Sequence, residues 1–131
     1  MEERFYFCET CGNLLFAAIA SGVIPYCCGD QMTLLQPNTT DGKHEKHLPV
    51  CTVSSDHCMT VRVGAEPHPM STEHNIRFVC LETDSEIIVH YLEVDGPAEA
   101  CIRFSGQPRA VYAYCNLHGL WRTDIQVVNG V

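Results

Sequence analysis

The chain has 131 residues, enough for one ordinary domain or for one small module attached to a modest core. Its 46 % hydrophobic content is that of a globular protein and excludes wholesale disorder. With 16 acids against 8 bases the formal charge is −8, which argues against nucleic acid or an anionic membrane as the main partner and means that an anionic substrate needs a local cation.

The first 35 residues are dense in cysteine and glycine. "CETC" supplies Cys8 and Cys11, and "CCGD" supplies Cys27 and Cys28, so four thiols fall within 21 positions. A Cys-x-x-Cys turn directs two sulfurs at one point, and a second pair completes a tetrahedral S₄ shell for zinc or iron. Spacing alone does not separate the two metals. Gly12 and Gly29 each follow a pair, where a small residue lets backbone N–H groups turn toward sulfur. A module this short buries too little core to fold alone, so a metal staple is physically expected.

Between the pairs, "LLFAAIASGVI" (residues 14–24) has the apolarity of a signal-peptide core. The segment before it is acidic, the run is too short to span a bilayer, and cleavage after it would discard Cys8 and Cys11. Nine cysteines are also an odd number, unlike the even count of a secreted disulfide scaffold. These features predict a cytoplasmic protein with reduced thiols and no membrane partner.

"QPNTTDG" (36–42) reads as a linker or turn. It suggests a metal-stapled module over 1–36 and a second domain over 37–131. From Leu48 onward the texture changes to short apolar runs: "VCTV" (50–53), "MTVRV" (59–63), "IRFVCL" (76–81), "IIVHYLEV" (87–94), "EACIRF" (99–104), "AVYAY" (110–114) and "WRTDIQVV" (121–128). Separated by Gly, Pro, Asp and Ser clusters, they predict a mainly β protein whose second domain is an antiparallel β-sandwich.

Loops at the ends of such a sandwich can gather ligands. "EKHLPV" carries His47, "PHPMSTEH" carries His68 and His74, and "AYCNLHGLW" carries Cys115 and His118. Pro67 and Pro69 hold His68 in a stiff, extended segment. Four imidazoles and one thiolate suit iron, copper or zinc, and five donors favour a redox metal of octahedral preference with one position open. His44, His57 and His90 are expected to be ordinary surface or satisfied residues. A Cys115–His118 catalytic dyad would need a third group to orient the imidazole, and no residue is marked for that role.

Taken together these motifs resemble the desulfoferrodoxin family, the two-iron superoxide reductases, almost end to end. "CETCGN" and "CCGDQM" are similar to the opening desulforedoxin module, including the vicinal cysteines that a zinc ribbon lacks. "EKHLPV", "HPMSTEH" and "YCNLHGLW" are similar to the three segments that build the catalytic site. The resemblance implies a desulforedoxin-like module followed by an immunoglobulin-like sandwich, usually as a homodimer. It implies a rubredoxin-like iron on Cys8, Cys11, Cys27 and Cys28, with zinc as the alternative. It implies a second iron with His47, His68, His74 and His118 as equatorial nitrogens and Cys115 as the axial sulfur. The family's Glu-Lys pair before the first ligand corresponds to Glu45 and Lys46. Lys46 is the natural cationic lure for superoxide, and Glu45 the carboxylate that would close the ferric site. Leu48 stands where valine is common.

The implied activity is reduction of superoxide to hydrogen peroxide, with re-reduction by a rubredoxin-type donor. Two other functions stay open on the residues: a rubredoxin-like electron carrier, and a zinc-stapled binding module. Cys51, Cys58, Cys80 and Cys101 belong to none of these motifs and are expected as small buried hydrophobes, with a disulfide among them as the alternative.

Overall fold

The computed structural model describes residues 4–39, 44–54 and 57–125. The chain divides into two compact units, Met1–Pro37 and Asn38–Val131.

The first unit holds five short strands: β1 (Phe5–Phe7), β2 (Leu14–Phe16), β3 (Tyr26–Cys27), β4 (Asp30–Gln31) and β5 (Thr33–Leu34). β1 lies between β2 and β5 in an antiparallel sheet, and β3 and β4 form a hairpin. None of the five stood out in the sequence, because strands of two or three residues carry no readable alternation. The core of this unit is small. Tyr6, Cys8 and Met32 are buried together, with Ala17, Ile24, Cys27 and Leu34 packed against them. One residue of that cluster is itself a candidate metal ligand, so hydrophobic burial alone leaves this unit marginal.

The second unit begins with one helical turn, α1 (His44–His47), and continues as β6 (Pro49–Val53), β7 (Cys58–Val63), β8 (Ile76–Thr83), β9 (Ile87–Tyr91), β10 (Glu99–Arg103), β11 (Pro108–Cys115) and β12 (Gly119–Asp124). These strands form a three-stranded sheet, β10-β7-β6, and a four-stranded sheet, β12-β11-β8-β9, with every pairing antiparallel. The mainly β sandwich expected from the seven apolar runs is therefore present. β7 and β10 alternate strictly, with Met59, Val61, Val63, Ala100 and Ile102 facing inward. β8 and β11 are central in their sheet and buried along most of their length, which is why "IRFVCL" and "AVYAY" read as continuous apolar runs.

Some boundaries differ from expectation. β9 stops at Tyr91 rather than continuing to residue 94, because the chain turns at Glu93–Gly96, where the Gly96 N–H donates to the Glu93 carbonyl at 3.1 Å and Asp95 takes φ +67°. β12 ends at Asp124, and residues 126–128 of the expected last strand lie outside the described residues. Among the unassigned cysteines, burial as a small hydrophobe describes Cys80 fully and Cys51 in part. Cys58 is half-buried, Cys101 is exposed, and the two are joined as a disulfide, since neither side chain points into the core. His57 and His90 are exposed, as expected; the His44 side chain lies outside the described residues.

Candidate metal centres

The register of the sandwich brings its candidate ligands to one end. Pro49, at the start of β6, pairs with Val63 at the end of β7, and Cys115, at the end of β11, pairs with both Ile76 at the start of β8 and Gly119 at the start of β12. His47 closes α1 just before β6, His68 and His74 lie in the 64–75 connection from β7 to β8, and Cys115 and His118 flank the β11–β12 turn. Segments distant in sequence thus meet because the strands that carry them are neighbours.

The four imidazoles form a nearly square array. Neighbouring ring centroids are 4.7 Å apart for His47–His68, 4.7 Å for His68–His74, 5.1 Å for His74–His118 and 4.8 Å for His118–His47. The diagonal from His47 to His74 is 6.4 Å. Adjacent rings meet edge to face, at interplanar angles of 70°, 81°, 74° and 84°. Donor atoms of His47, His74, Cys115 and His118 all lie within 4.8 Å of one another. His68 stands outside that tightest set, and its ring closes the square.

The donor atoms fit a metal ion. His68 Nδ1 lies 2.7 Å from the Pro69 carbonyl, which fixes that nitrogen as the donor and leaves Nε2 as a buried lone pair with no hydrogen-bond partner. His74 Nε2 is likewise buried and unpartnered. Two orphaned ring nitrogens beside two more imidazoles would be a costly arrangement for a pocket without a cation. Burial, followed by the neighbouring histidines, holds the His68 imidazole down to about 4, and burial lowers His74 as well. Both rings therefore stand neutral, the form that binds metal.

Cys115 is fully buried, and burial pushes its thiol up. The backbone N–H of His118 donates to its sulfur at 3.4 Å, opposing that shift. Such a thiol is a poor free nucleophile and a good ligand, which disfavours the catalytic-dyad reading.

Four residues that the sequence did not single out hold this square in place. The Trp121 indole stacks on His47 at 4.8 Å and 21°, and its Nε1 donates to the His118 carbonyl at 3.0 Å. Asn116 Oδ1 accepts from the Asn75 N–H at 2.9 Å, and its Nδ2 donates to the Glu73 carbonyl at 2.9 Å. Asn75 Nδ2 in turn donates to the Ser71 and Thr72 carbonyls at 2.9 and 3.3 Å. Gly64 completes the set: it takes φ +83°, and a Cβ there would stand 2.5 Å from the Lys46 carbonyl oxygen. Only glycine lets β7 pass so close to the turn that carries His47.

Lys46 is half-buried beside His47, and the ion pair among the described residues, Arg122–Asp124, does not involve it. The Glu45 side chain lies outside the described residues.

In the first unit, Cys8, Cys11, Cys27 and Cys28 form the second cluster, with all four sulfurs within 4.8 Å. Sγ atoms of Cys11 and Cys27 are 3.6 Å apart and those of Cys27 and Cys28 are 4.0 Å apart. These lengths bracket the edge of a tetrahedron with metal–sulfur bonds of about 2.3 Å, roughly 3.8 Å. The vicinal pair is workable because Cys28 and Gly29 make the two-residue turn of the β3–β4 hairpin, both with positive φ (53° and 83°). The backbone donor to sulfur is Cys11 N–H, at 3.4 Å from Cys8 Sγ; the Gly12 N–H donates instead to the Cys8 carbonyl at 2.9 Å. That bond from Cys11 draws the Cys8 thiol down to about 6, while sharing hydrogen bonds with Cys11, Cys8 and Cys27 pushes Cys28 up to about 12. Four such sulfurs do not all ionise without a cation among them, and with one they can.

Comparison with known proteins agrees with this geometry. The desulfoferrodoxin family profile matches residues 39–124. The chain is 37 % identical over 119 residues to a desulfoferrodoxin of Syntrophotalea carbinolica, covering 91 % of this chain and 94 % of that one. It is 36 % identical over 125 residues to a desulfoferrodoxin of Nitratidesulfovibrio vulgaris, covering 94 % and 97 %. Among solved structures it is similar to the superoxide reductase from Treponema pallidum, with a TM-score of 0.76 and 32 % identity over 92 % of this chain and 99 % of that one. No helix among the described residues is long and apolar enough to cross a membrane.

Proposed function

This chain belongs to the desulfoferrodoxin family, and we propose that it works as a superoxide reductase through the His/Cys cluster of its sandwich. The observation that carries this reading is the near-square of four imidazoles beside the buried Cys115 thiol, two of them with orphaned Nε2 atoms. His47, His68, His74, His118 and Cys115 would hold one iron, and Cys8, Cys11, Cys27 and Cys28 a second, giving two irons per chain. Iron held there would supply the single electron that, with two solvent protons, converts superoxide to hydrogen peroxide.

The chain's own residues shape that chemistry. Lys46, adjacent to His47, offsets the global charge of −8 and draws the small anion in. The His118 N–H donates to Cys115 Sγ at 3.4 Å and would moderate the electron donation of that sulfur to a bound iron, favouring release of peroxide over O–O cleavage. Pro69 orients the His68 ring through Nδ1. Glu45 is the proposed carboxylate that closes the site after turnover. A rubredoxin-type protein would return the electron, and the four-cysteine site would store or relay it. The reading further takes the protein to be a cytoplasmic homodimer.

The test is metal content per chain with the visible spectrum of protein purified without oxygen, followed by superoxide decay after pulse radiolysis. Two irons and a fast second-order decay are expected, and Lys46→Ala should slow that decay about tenfold at low salt. Zinc alone at the cysteines, with the histidines still empty after iron is offered, would overturn the reading.

A further inference from the structure

Two cysteines that neither metal site uses stand together on the solvent face of the β10-β7-β6 sheet. Cys101 pairs with Thr60 and Cys58 with Arg103, so the two cysteines are diagonal neighbours across the strand pair, with Cα atoms 6.5 Å apart. That spacing is within the ordinary span of a disulfide. Their strands send Met59, Val61, Ala100 and Ile102 inward, which turns Cys58 and Cys101 outward. We propose that Cys58 and Cys101 form a redox-active dithiol–disulfide couple, oxidised by peroxide and reopened by an external dithiol reductant.

Four observations support this. First, the bond is redundant as a staple: five residue pairs already join β7 to β10 in continuous register. Second, Cys101 is exposed and Cys58 half-buried, so oxidant and reductant can both reach the sulfurs. Surface disulfides of a reducing compartment are as a rule labile and functional rather than structural. Third, arginines flank the pair. Arg103 stands opposite Cys58 and two residues beyond Cys101 on the same face; Arg62, the other diagonal neighbour of Cys101, stands opposite Glu99, so Arg103 is the cation nearest the pair without a carboxylate across from it. Guanidinium charge favours thiolate, the reactive form. Fourth, the other cysteines outside the metal sites are protected, since burial pushes Cys51 up to about 11 and Cys80 up to about 12.

The backbone at Cys58 is also fixed. Its carbonyl accepts from the Ser54 N–H at 2.8 Å and from Ser54 Oγ at 3.0 Å, and the Phe104 N–H donates to the neighbouring His57 carbonyl at 3.0 Å. The sulfurs therefore remain neighbours when the bond opens.

The chemistry balances. The exposed Cys101 thiolate attacks one peroxide oxygen, the O–O bond breaks, and a sulfenic acid and hydroxide result. Cys58 then attacks that sulfur, the S–S bond forms and a second hydroxide leaves. With the two thiol protons the products are two waters, so peroxide gains two electrons and the dithiol loses two. Exchange with a dithiol reductant returns both thiols and carries the disulfide away. This inference rests on the proposed function in two respects, the reducing compartment and the peroxide that superoxide reduction generates at this protein; added peroxide tests it separately.

The experiment uses full-length, iron-loaded protein reduced and handled without oxygen. One equivalent of hydrogen peroxide is added, free thiols are alkylated, and the cysteine peptides are mapped by mass spectrometry. The expected result is a linked Cys58–Cys101 peptide that dithiothreitol reopens in the folded protein. Cys58→Ser should leave Cys101 as a sulfenic acid trapped by dimedone, and Cys101→Ser should abolish both products. The double serine variant should reduce superoxide at the unaltered rate. A bond that opens only in denaturant would make the pair a structural staple and overturn the proposal. So would peroxide consumption that leaves Cys58 and Cys101 as free thiols. Peroxide coupling without superoxide reduction would instead overturn the proposed activity and leave this inference standing.

Discussion

His47 lies nearly flat on Trp121, ring centroids 4.8 Å apart and planes 21° from parallel, while the Trp121 Nε1–H donates to the His118 carbonyl at 3.0 Å. One fully buried side chain therefore positions two imidazoles of the square from opposite ends of the sequence motif set. Trp121→Phe keeps an aromatic face for His47 and deletes the N–H. The lost hydrogen bond should cost about 1 kcal/mol, and iron at the histidine site should be held roughly tenfold more weakly. Trp121→Ala should destabilise the metal-free fold by about 3–5 kcal/mol through the cavity it leaves. Iron loss to a chelator and urea unfolding measure the two effects. Equal iron retention in Trp121→Phe and the parent would remove the positioning role.

The Asn116 side chain and the two backbones tie the His74 loop to the Cys115–His118 turn, and the Asn75 side chain closes its own loop on Ser71 and Thr72. Besides the Asn75 N–H bond to Asn116 Oδ1, the Asn116 N–H donates to the Asn75 carbonyl at 3.1 Å. Asn75 is almost wholly buried, so a missing partner there is not replaced by water. Asn116→Ala should cost about 1–3 kcal/mol and loosen His74 in particular. Asn116→Asp keeps the acceptor for Asn75 and should restore part of the loss. Unfolding midpoints of the two metal-free variants, with the His74 ring shifts by NMR, decide it. Identical midpoints for both would show that the acceptor contributes nothing.

How much of this was legible beforehand follows from the kind of signal each feature leaves. The seven sandwich strands were readable because Met59, Val61 and Val63 alternate with Thr60 and Arg62, and because β8 and β11 are buried enough to look continuously apolar. The five strands of the first unit were not, since two- and three-residue strands are set by the turns that the cysteines impose. His47, His68, His74, Cys115 and His118 were found as residue types near turns, but their square arrangement exists only through strand register. Asn75, Asn116 and Trp121 act through backbone carbonyls and N–H groups, which no side-chain pattern marks. The Cys58–Cys101 pairing was hidden for the same reason: a diagonal neighbour 43 positions away follows from register alone.

Acid should destabilise the metal-free sandwich through His68. Its imidazole is held down to about 4 by burial first, against an ordinary value near 6.5. Between those values the unfolded chain binds a proton that the folded chain does not, so stability falls as pH falls. The contribution is fully present above about pH 6.5 and is lost by about pH 4, for a total of about 3 kcal/mol. Metal binding to the neutral ring should raise stability across the same window, and the metal should be released on the acid side of it. Urea midpoints of metal-free protein between pH 7 and 4 check the slope, with His68→Asn as the control. A control that retains the full slope would assign it to other groups.

Removing the metal from the four-cysteine site should unfold the first unit and spare the second. Among the described residues of the first unit, Tyr6, Cys8 and Met32 cluster and Phe5 is buried beside Phe16, whereas thirteen buried residues, Met59 to Cys115, form the sandwich core. A core of that size cannot offset the chain entropy of some 35 residues, so metal–thiolate binding supplies the folding free energy there. Cys8→Ser deletes the ligand whose sulfur accepts the Cys11 N–H and whose side chain is part of that core. Amides of β1, β2 and β5 should then exchange with solvent within minutes, while those of β8 and β11 keep their protection. Superoxide decay should proceed at the parent rate. Protected β1 amides in Cys8→Ser would show that the first unit folds without its metal, and a lost superoxide rate would show that the histidine site depends on the cysteine site.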